Sequence, residues 1–334
     1  MNRILYLDIL RIFACIMIIF MHAPIPDTGL SSFVLASDSF LTTPGIGLFI
    51  MVSGALLLPI KTNTKKFLER RLSKVVGPTI TWTSIYWFSS SFISGEFKFY
   101  NFISVPFSAQ FNGVLWFMYM LIGLYLIAPI LSGWLQRSSK REVEFYLCLW
   151  GVTMCYPLIR NFVTVNEGTT GILYYFGGYA GYFLLGYYLH HYHKQLSFLL
   201  CSFLFITPMI IAGYCRFFEL KINFYDFFYY LSIITVMSCI AWYMFIRHFS
   251  SEYNENSKNH RVLAIISKCT FGIYLSHILV MRYFLWNLEI VRGLHGFIQI
   301  ATTTILTFIG GFLITWIIGY LPFANYIVGF SHKR

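Results

Sequence analysis

Charge is what this chain has least of. Only 11% of its 334 residues are Asp, Glu, Lys or Arg, against about 25% in soluble globular proteins. Acid is scarcer than base, with 13 Asp and Glu beside 24 Lys and Arg. So few charges cannot keep a water-exposed surface soluble, which excludes an ordinary soluble enzyme or binding module. The seven cysteines form no Cys-x-x-Cys pair and no zinc-type spacing occurs, so neither a disulfide framework nor a metal is expected. The first apolar segment lacks a small-x-small cleavage site and carries an acid and a base in its middle, which argues against a removable signal peptide. No internal repeat is visible, and that weighs against a transporter built from two related halves.

What the chain does have is apolar length. It is 57% hydrophobic and 20% aromatic, with a mean hydropathy of +0.67. Apolar runs predict membrane spans at about 4–23, 41–59, 75–94, 114–135, 145–160, 172–192, 196–213, 226–246, 262–284 and 297–320, near the ~20 residues that cross a bilayer. The expected fold is an all-α polytopic bundle of about ten transmembrane helices forming one domain, 1–334. No soluble domain is expected before or after it, since the residues beyond about 321 are too few for one. The longest inner loops then fall at 60–74 and 247–261, the second polar and link-like, and aromatic outer loops at 95–113 and 214–225.

Orientation follows from Lys and Arg in the loops. With the N-terminus inside, Lys61, Lys65, Lys66, Arg70, Arg71 and Lys74 fall on one inner loop. Arg137, Lys140 and Arg141 fall on the next, and Arg247, Lys258, Arg261 and Lys268 on a third. The outer segments hold far fewer. Both termini are therefore expected in the cytoplasm of a multi-pass inner-membrane protein. The net charge of +11 reads as topology and attraction to anionic membrane lipids. Nucleic acid is not an expected partner, because no soluble basic surface exists to bind it.

Three ionisable residues break the first span: Asp8, Arg11 and His22. Charge inside a membrane segment is costly, and such a residue is a functional-site hypothesis by default. Positions 8, 11, 15, 18 and 22 step by three or four, which places them on one helical face. Arg11 and His22 are then roughly 16 Å apart along the axis, at 1.5 Å per residue. Taken alone, the trio fits a proton or anion path in a transporter. Asp8 and Arg11 fit equally a pair that neutralises itself for insertion, and His22 a helix end at the interface. Cys15, on the same face, reads as a small packed residue.

Further polar positions recur downstream. Lys61 to Lys74 is a basic run at a cytoplasmic rim, and positive-inside topology alone accounts for Lys61, Lys65 and Lys66. Trp116 and Tyr119 open the fourth span, as an aromatic belt or as pocket-lining groups. Ser53 and Gly54 are small residues inside the second span, where close helix packing explains them. Tyr274 and His277 share a face of the ninth span, near mid-membrane. The run His190-His191-Tyr192-His193 has no carboxylate or cysteine partners and reads as an interfacial cluster. Tyr174 to Phe183 is aromatic enough to stack on sugars, but reads better as an aromatic span with small packing residues.

Arg11, ten residues and then His22 on the first span, preceded by Leu7-Asp8, resembles the signature of the acyltransferase-3 family of integral membrane O-acyltransferases. The likeness continues in Gly45 to Gly54, in Arg70-Arg71-Leu-Ser-Lys74, in Leu115-Trp116-Phe-Met-Tyr119 and in Thr270 to His277. These motifs lie in order over most of the chain. The resemblance implies transfer of an acyl group, acetyl by preference, from cytoplasmic acetyl-CoA or another acyl-CoA to a hydroxyl of an extracytoplasmic or lipid-linked glycan. His22 would act as base or transient acyl carrier, with Arg11 and Asp8 in the catalytic set. Arg70, Arg71 and Lys74 would hold the donor's phosphates, with Trp116 beside the donor. Ser53, Tyr119, Tyr274 and His277 would line the pocket. The family pattern has Arg-x-x-Arg where this chain has Arg71 and Lys74, a change that keeps the charge and loses the bidentate fork. No metal is implied, and a homodimer stays open.

Overall fold

The computed structural model describes residues 4–24, 42–97, 103, 113–160, 163, 176–192, 197–217, 227–250 and 258–332. Among them the regular structure is entirely helical. Five helical stretches are long and apolar enough to cross a membrane: Leu5–His22, Trp116–Leu135, Ile233–Ser250, His260–Asn287 and Gly296–Ile318. The described helices divide into two compact units, Met1–Leu58 with Gly133–Ala264, and Pro59–Ser132 with Ile265–Arg334.

The first unit contains α1 (Leu5–His22), α2 (Pro44–Leu57), α5 (Lys140–Met154), the single turn α6 (Tyr156–Ile159), α7 (Ala180–Tyr192), α8 (Phe198–Phe217) and α9 (Ile233–Ser250). At its centre α2 lies against α7, and the contact depends on glycine. A Cβ on Gly54 would sit 1.8 Å from the Phe183 carbonyl oxygen, and one on Gly186 would sit 1.9 Å from that of Met51. The two backbones therefore touch at reciprocal glycines, the small-residue packing expected of Gly54. Helix α1 packs on α2 and α9. Tyr182 and Phe183 are fully buried, and Tyr182 donates its hydroxyl proton to the Tyr230 carbonyl at 2.6 Å. Neither ring has a face left for a sugar. Residues 164–175, the start of the expected sixth span, lie outside the described residues.

Helices α3 (Thr64–Ser94), α4 (Trp116–Leu135), α12 (Gly296–Ile318) and α13 (Ala324–Val328) build the second unit. The greater part of α10 (Lys258–Ile278) joins them, followed by a π turn at Leu279–Phe284 and the short α11 (Glu289–Arg292). Trp82 Nε1 donates to the Ile327 carbonyl at 2.8 Å and ties α3 to α13. On α12, the Thr315 side chain fills the space above Gly272 of α10.

Several boundaries differ from the hydropathy reading. The inner loop expected at 60–74 is helical from Thr64. Asn63 caps it by accepting the Lys65 backbone N–H at 2.8 Å, and Lys, Leu, Glu and Arg are good helix formers. Hydropathy reports transfer into lipid and is blind to that propensity. The link expected at 247–261 is shortened from both ends, since α9 runs to Ser250 and α10 begins at Lys258; residues 251–257 lie outside the described set. The expected fifth span is interrupted after Met154, with a separate turn beginning at Tyr156 just before Pro157. Helix α8 carries through to Phe217, into the expected outer loop at 214–225.

Candidate functional site

Asp8, Arg11 and His22 all lie on α1 as the spacing required. Asp8 is 5% exposed, while Arg11 and His22 are half-buried and His22 is the last residue of the helix. Cys15, between them, is buried. An imidazole thus ends a helix whose first turn holds a buried carboxyl. Ser53, on the neighbouring α2, is half-buried and donates its hydroxyl proton to the Phe49 carbonyl at 2.9 Å. That proton is used within its own helix, and the oxygen lone pairs remain as acceptors.

A second polar cluster at one end of α1 was not legible in the sequence. The Tyr6 hydroxyl meets His190 Nδ1 and lies 3.3 Å from the Tyr243 hydroxyl. The Arg247 guanidinium stands 5.0 Å over the Tyr6 ring and donates to the Leu189 carbonyl at 2.7 Å, closing the C-terminus of α7. His191 Nδ1 lies 3.0 Å from the Tyr187 carbonyl. His190 and His191 are thus built into helix ends, and His193 lies outside the described residues.

The second unit holds the remaining predicted residues. On α3, Phe67, Val75, Pro78, Thr79, Trp82 and Tyr86 are buried, and their spacing of three and four marks the inner stripe. Arg71 belongs to that stripe, four residues from both Phe67 and Val75, and is half-buried. Arg70 and Lys74 are exposed, Lys74 although it stands four residues before Pro78. Trp116 and Tyr119 are half-buried on α4. The Tyr119 hydroxyl lies 3.4 Å from Thr83 Oγ1. Tyr274 is buried with its ring 5.4 Å from that of Phe117, and its hydroxyl donates to the Val114 carbonyl at the entry to α4. His277 has no exposure. Its Nδ1 meets the Tyr274 carbonyl; a carbonyl only accepts, so Nδ1 carries the proton and Nε2 is the basic nitrogen of the neutral ring.

The fold thus packs Tyr274 and His277 of α10 against the start of α4 through Val114 and Phe117, ties Tyr119 to Thr83 of α3, and carries Asp8, Arg11 and His22 on α1 with Ser53 on the neighbouring α2. Sequence reasoning missed Thr83 and Tyr86. A signal was present: Thr79, Trp82, Thr83 and Tyr86 form a polar and aromatic stripe at helical spacing inside the expected third span.

Apolar helices of spanning length, with ionisable groups inside the first, define a polytopic membrane protein with a polar interior. The family model described as acyltransferase domain (Acyl_transf_3) matches residues 4–321. The chain belongs to this acyltransferase-3 family and is a multi-pass membrane acyltransferase. No curated protein and no solved structure matches it at a significant level.

Proposed function

We propose that this membrane acyltransferase is an O-acetyltransferase. Its donor is cytoplasmic acetyl-CoA and its acceptor a hydroxyl of an extracytoplasmic or lipid-linked glycan of the cell envelope. The observation that carries the reading is the face of α1, where Arg11 and His22 keep the family spacing on a helix that also buries Asp8. In this reading the His22 imidazole takes the proton of the acceptor hydroxyl, whose oxygen attacks the thioester carbonyl. The C–S bond then breaks and the coenzyme A thiolate leaves with the proton. An acyl-imidazole on His22, formed first and then transferred, gives the same products.

Arg11 orders the pocket with a charge that does not titrate. Arg71, the basic residue on the inner stripe of α3, takes donor phosphate, with Arg70 and Lys74 contributing charge from the exposed side. Ser53, Tyr119, Tyr274 and His277 supply hydrogen bonds to acyl group and acceptor, and Trp116 packs on the donor. Ten spans with both termini cytoplasmic, one catalytic domain and an inner-membrane location complete the reading. It puts the donor side of the protein where acetyl-CoA is made.

The test is His22→Ala in purified protein together with mass spectrometry of surface glycans from cells with and without the gene. General-base loss predicts turnover lower by about 10²–10⁴-fold, with acetyl-CoA binding retained. The glycan comparison predicts loss of an acetyl mass increment. Wild-type turnover by His22→Ala would remove the catalytic assignment, and an unchanged glycan mass would remove the acceptor assignment.

A further inference from the structure

In an uninterrupted α-helix the carbonyl of residue 275 and the N–H of residue 279 pair with each other. Here the hydroxyl of Tyr86, from α3, engages both groups. It donates to the Leu275 carbonyl at 2.8 Å and accepts the Leu279 N–H at 3.2 Å. At Leu279 the α-helix gives way to the π turn Leu279–Phe284. A side chain inserted into the i→i−4 ladder is a recognised cause of such a break, and π turns inside helices concentrate at functional sites.

The consequences lie on both sides of the break. Beyond it, the wider turn rotates the following residues by roughly 100° relative to a continued α-helix, one residue's worth at 3.6 per turn. Val280 and Met281 are both buried, and Val280 Cγ1 lies only 2.8 Å from where a Cβ on Gly310 would stand. Before the break, Tyr274 and His277 occupy the last turn of α10 and bracket the anchored Leu275. Tyr274 reaches the Val114 carbonyl and His277 reaches the Tyr274 carbonyl. Tyr86 is buried, and its hydroxyl both donates and accepts, as a buried phenol requires.

We propose that Tyr86 is a positioning residue for acyl transfer, its hydroxyl bridging the Leu275 carbonyl and the Leu279 N–H where α10 meets the π turn and thereby fixing the aim of Tyr274 and His277. This rests on the reading that those two side chains line the acyl pocket. Phenylalanine at position 86 keeps the ring and removes both hydrogen bonds of the wedge, so the junction loses its anchor and the segment after it turns.

Two readouts test this in the full-length protein. The first is maleimide labelling of Met281→Cys in native membranes, before extraction, with the other cysteines replaced. Met281→Cys is expected to stay unlabelled beside Tyr86 and to label readily beside Tyr86→Phe. Thr83→Val, on the same stripe of α3, is expected to leave it unlabelled. The second is thiol release from acetyl-CoA by purified protein in lipid nanodiscs. Tyr86→Phe is expected to lower kcat about tenfold or more, the scale of a small misplacement of reacting groups. KM for acetyl-CoA should stay within about twofold, because a positioning loss falls on the transition state.

Unchanged labelling in Tyr86→Phe would overturn the wedge. Unchanged kcat with altered labelling would overturn its role in transfer. Wild-type kcat in His277→Ala would instead overturn the pocket reading, and altered labelling in Tyr86→Phe would then still identify the wedge as the cause of the π turn.

Discussion

Arg70 and Arg71 are neighbours in the chain with different surroundings. Arg70 is exposed, while Arg71 is half-buried in line with Phe67, Val75 and Trp82. An exposed guanidinium is screened and free to move, whereas one on the packed stripe is held in place before a phosphate arrives. Arg71→Ala is therefore expected to raise KM for acetyl-CoA about tenfold, the loss of one charge-assisted contact of roughly 1.5 kcal/mol, with kcat preserved. Arg71→Lys should recover part of this, since an ammonium lacks the planar fork, and Arg70→Ala should stay within about twofold because an exposed charge contributes little. Initial rates over a range of donor concentrations decide between the three. Equal effects in Arg70→Ala and Arg71→Ala would return the run to a topology signal. The identity of the basic residues was legible in the sequence, but which of them faces inward was not. The apolar stripe that decides it includes Trp82 and Tyr86, far along the same helix.

At the scale of the element, α3 and α5 show what local chemistry settles. Asn63 starts α3, and Gly95 ends it with φ 70°, a left-handed conformation that favours glycine. Helix α5 begins with a reciprocal cap: Ser139 Oγ accepts the Glu142 N–H at 3.3 Å, and Glu142 Oε2 accepts the Ser139 N–H at 2.6 Å. The backbone bond from Ser139, followed by its hydroxyl, holds the Glu142 carboxyl below its ordinary range. A depressed carboxyl contributes stability above its unfolded-state pKa and loses it as pH falls through the lower folded value. Ser139→Ala is expected to cost about 1 kcal/mol near neutrality, read from thermal unfolding in detergent. The backbone N–H that holds the Glu142 carboxylate survives in Ser139→Ala, so Glu142→Gln tests that half of the cap: the stability advantage of wild type over Glu142→Gln should narrow in acid as Glu142 protonates, and a difference constant with pH would argue against the reciprocal cap. The π turn after α10 is the opposite case. Nothing between Leu275 and Phe284 predicts it, and the hydroxyl that anchors its start comes from another helix.

For the whole molecule, the distribution of Lys and Arg makes a statement that labelling can check. Cysteines introduced at Asn63 and Ser139 are expected to be protected from an impermeant thiol reagent in intact cells lacking exposed native cysteine. One introduced at Asn101 should react. The reverse pattern would overturn the orientation. Sequence alone determined that the chain is helical and apolar, that its first helix carries an acid, a base and an imidazole on one face, and that its family is acyltransferase-3. These are properties of composition and of spacing along one helix, and neither needs a partner. Tertiary structure decided which predicted residues are held and by what. It spent the Ser53 proton on Phe49, locked the Nδ1 proton of His277, turned Tyr182 and Phe183 into the core and drew Tyr86 into another helix's ladder. Each of these depends on a donor, an acceptor or a packed surface; where these come from another helix, no periodicity within a segment can reveal them.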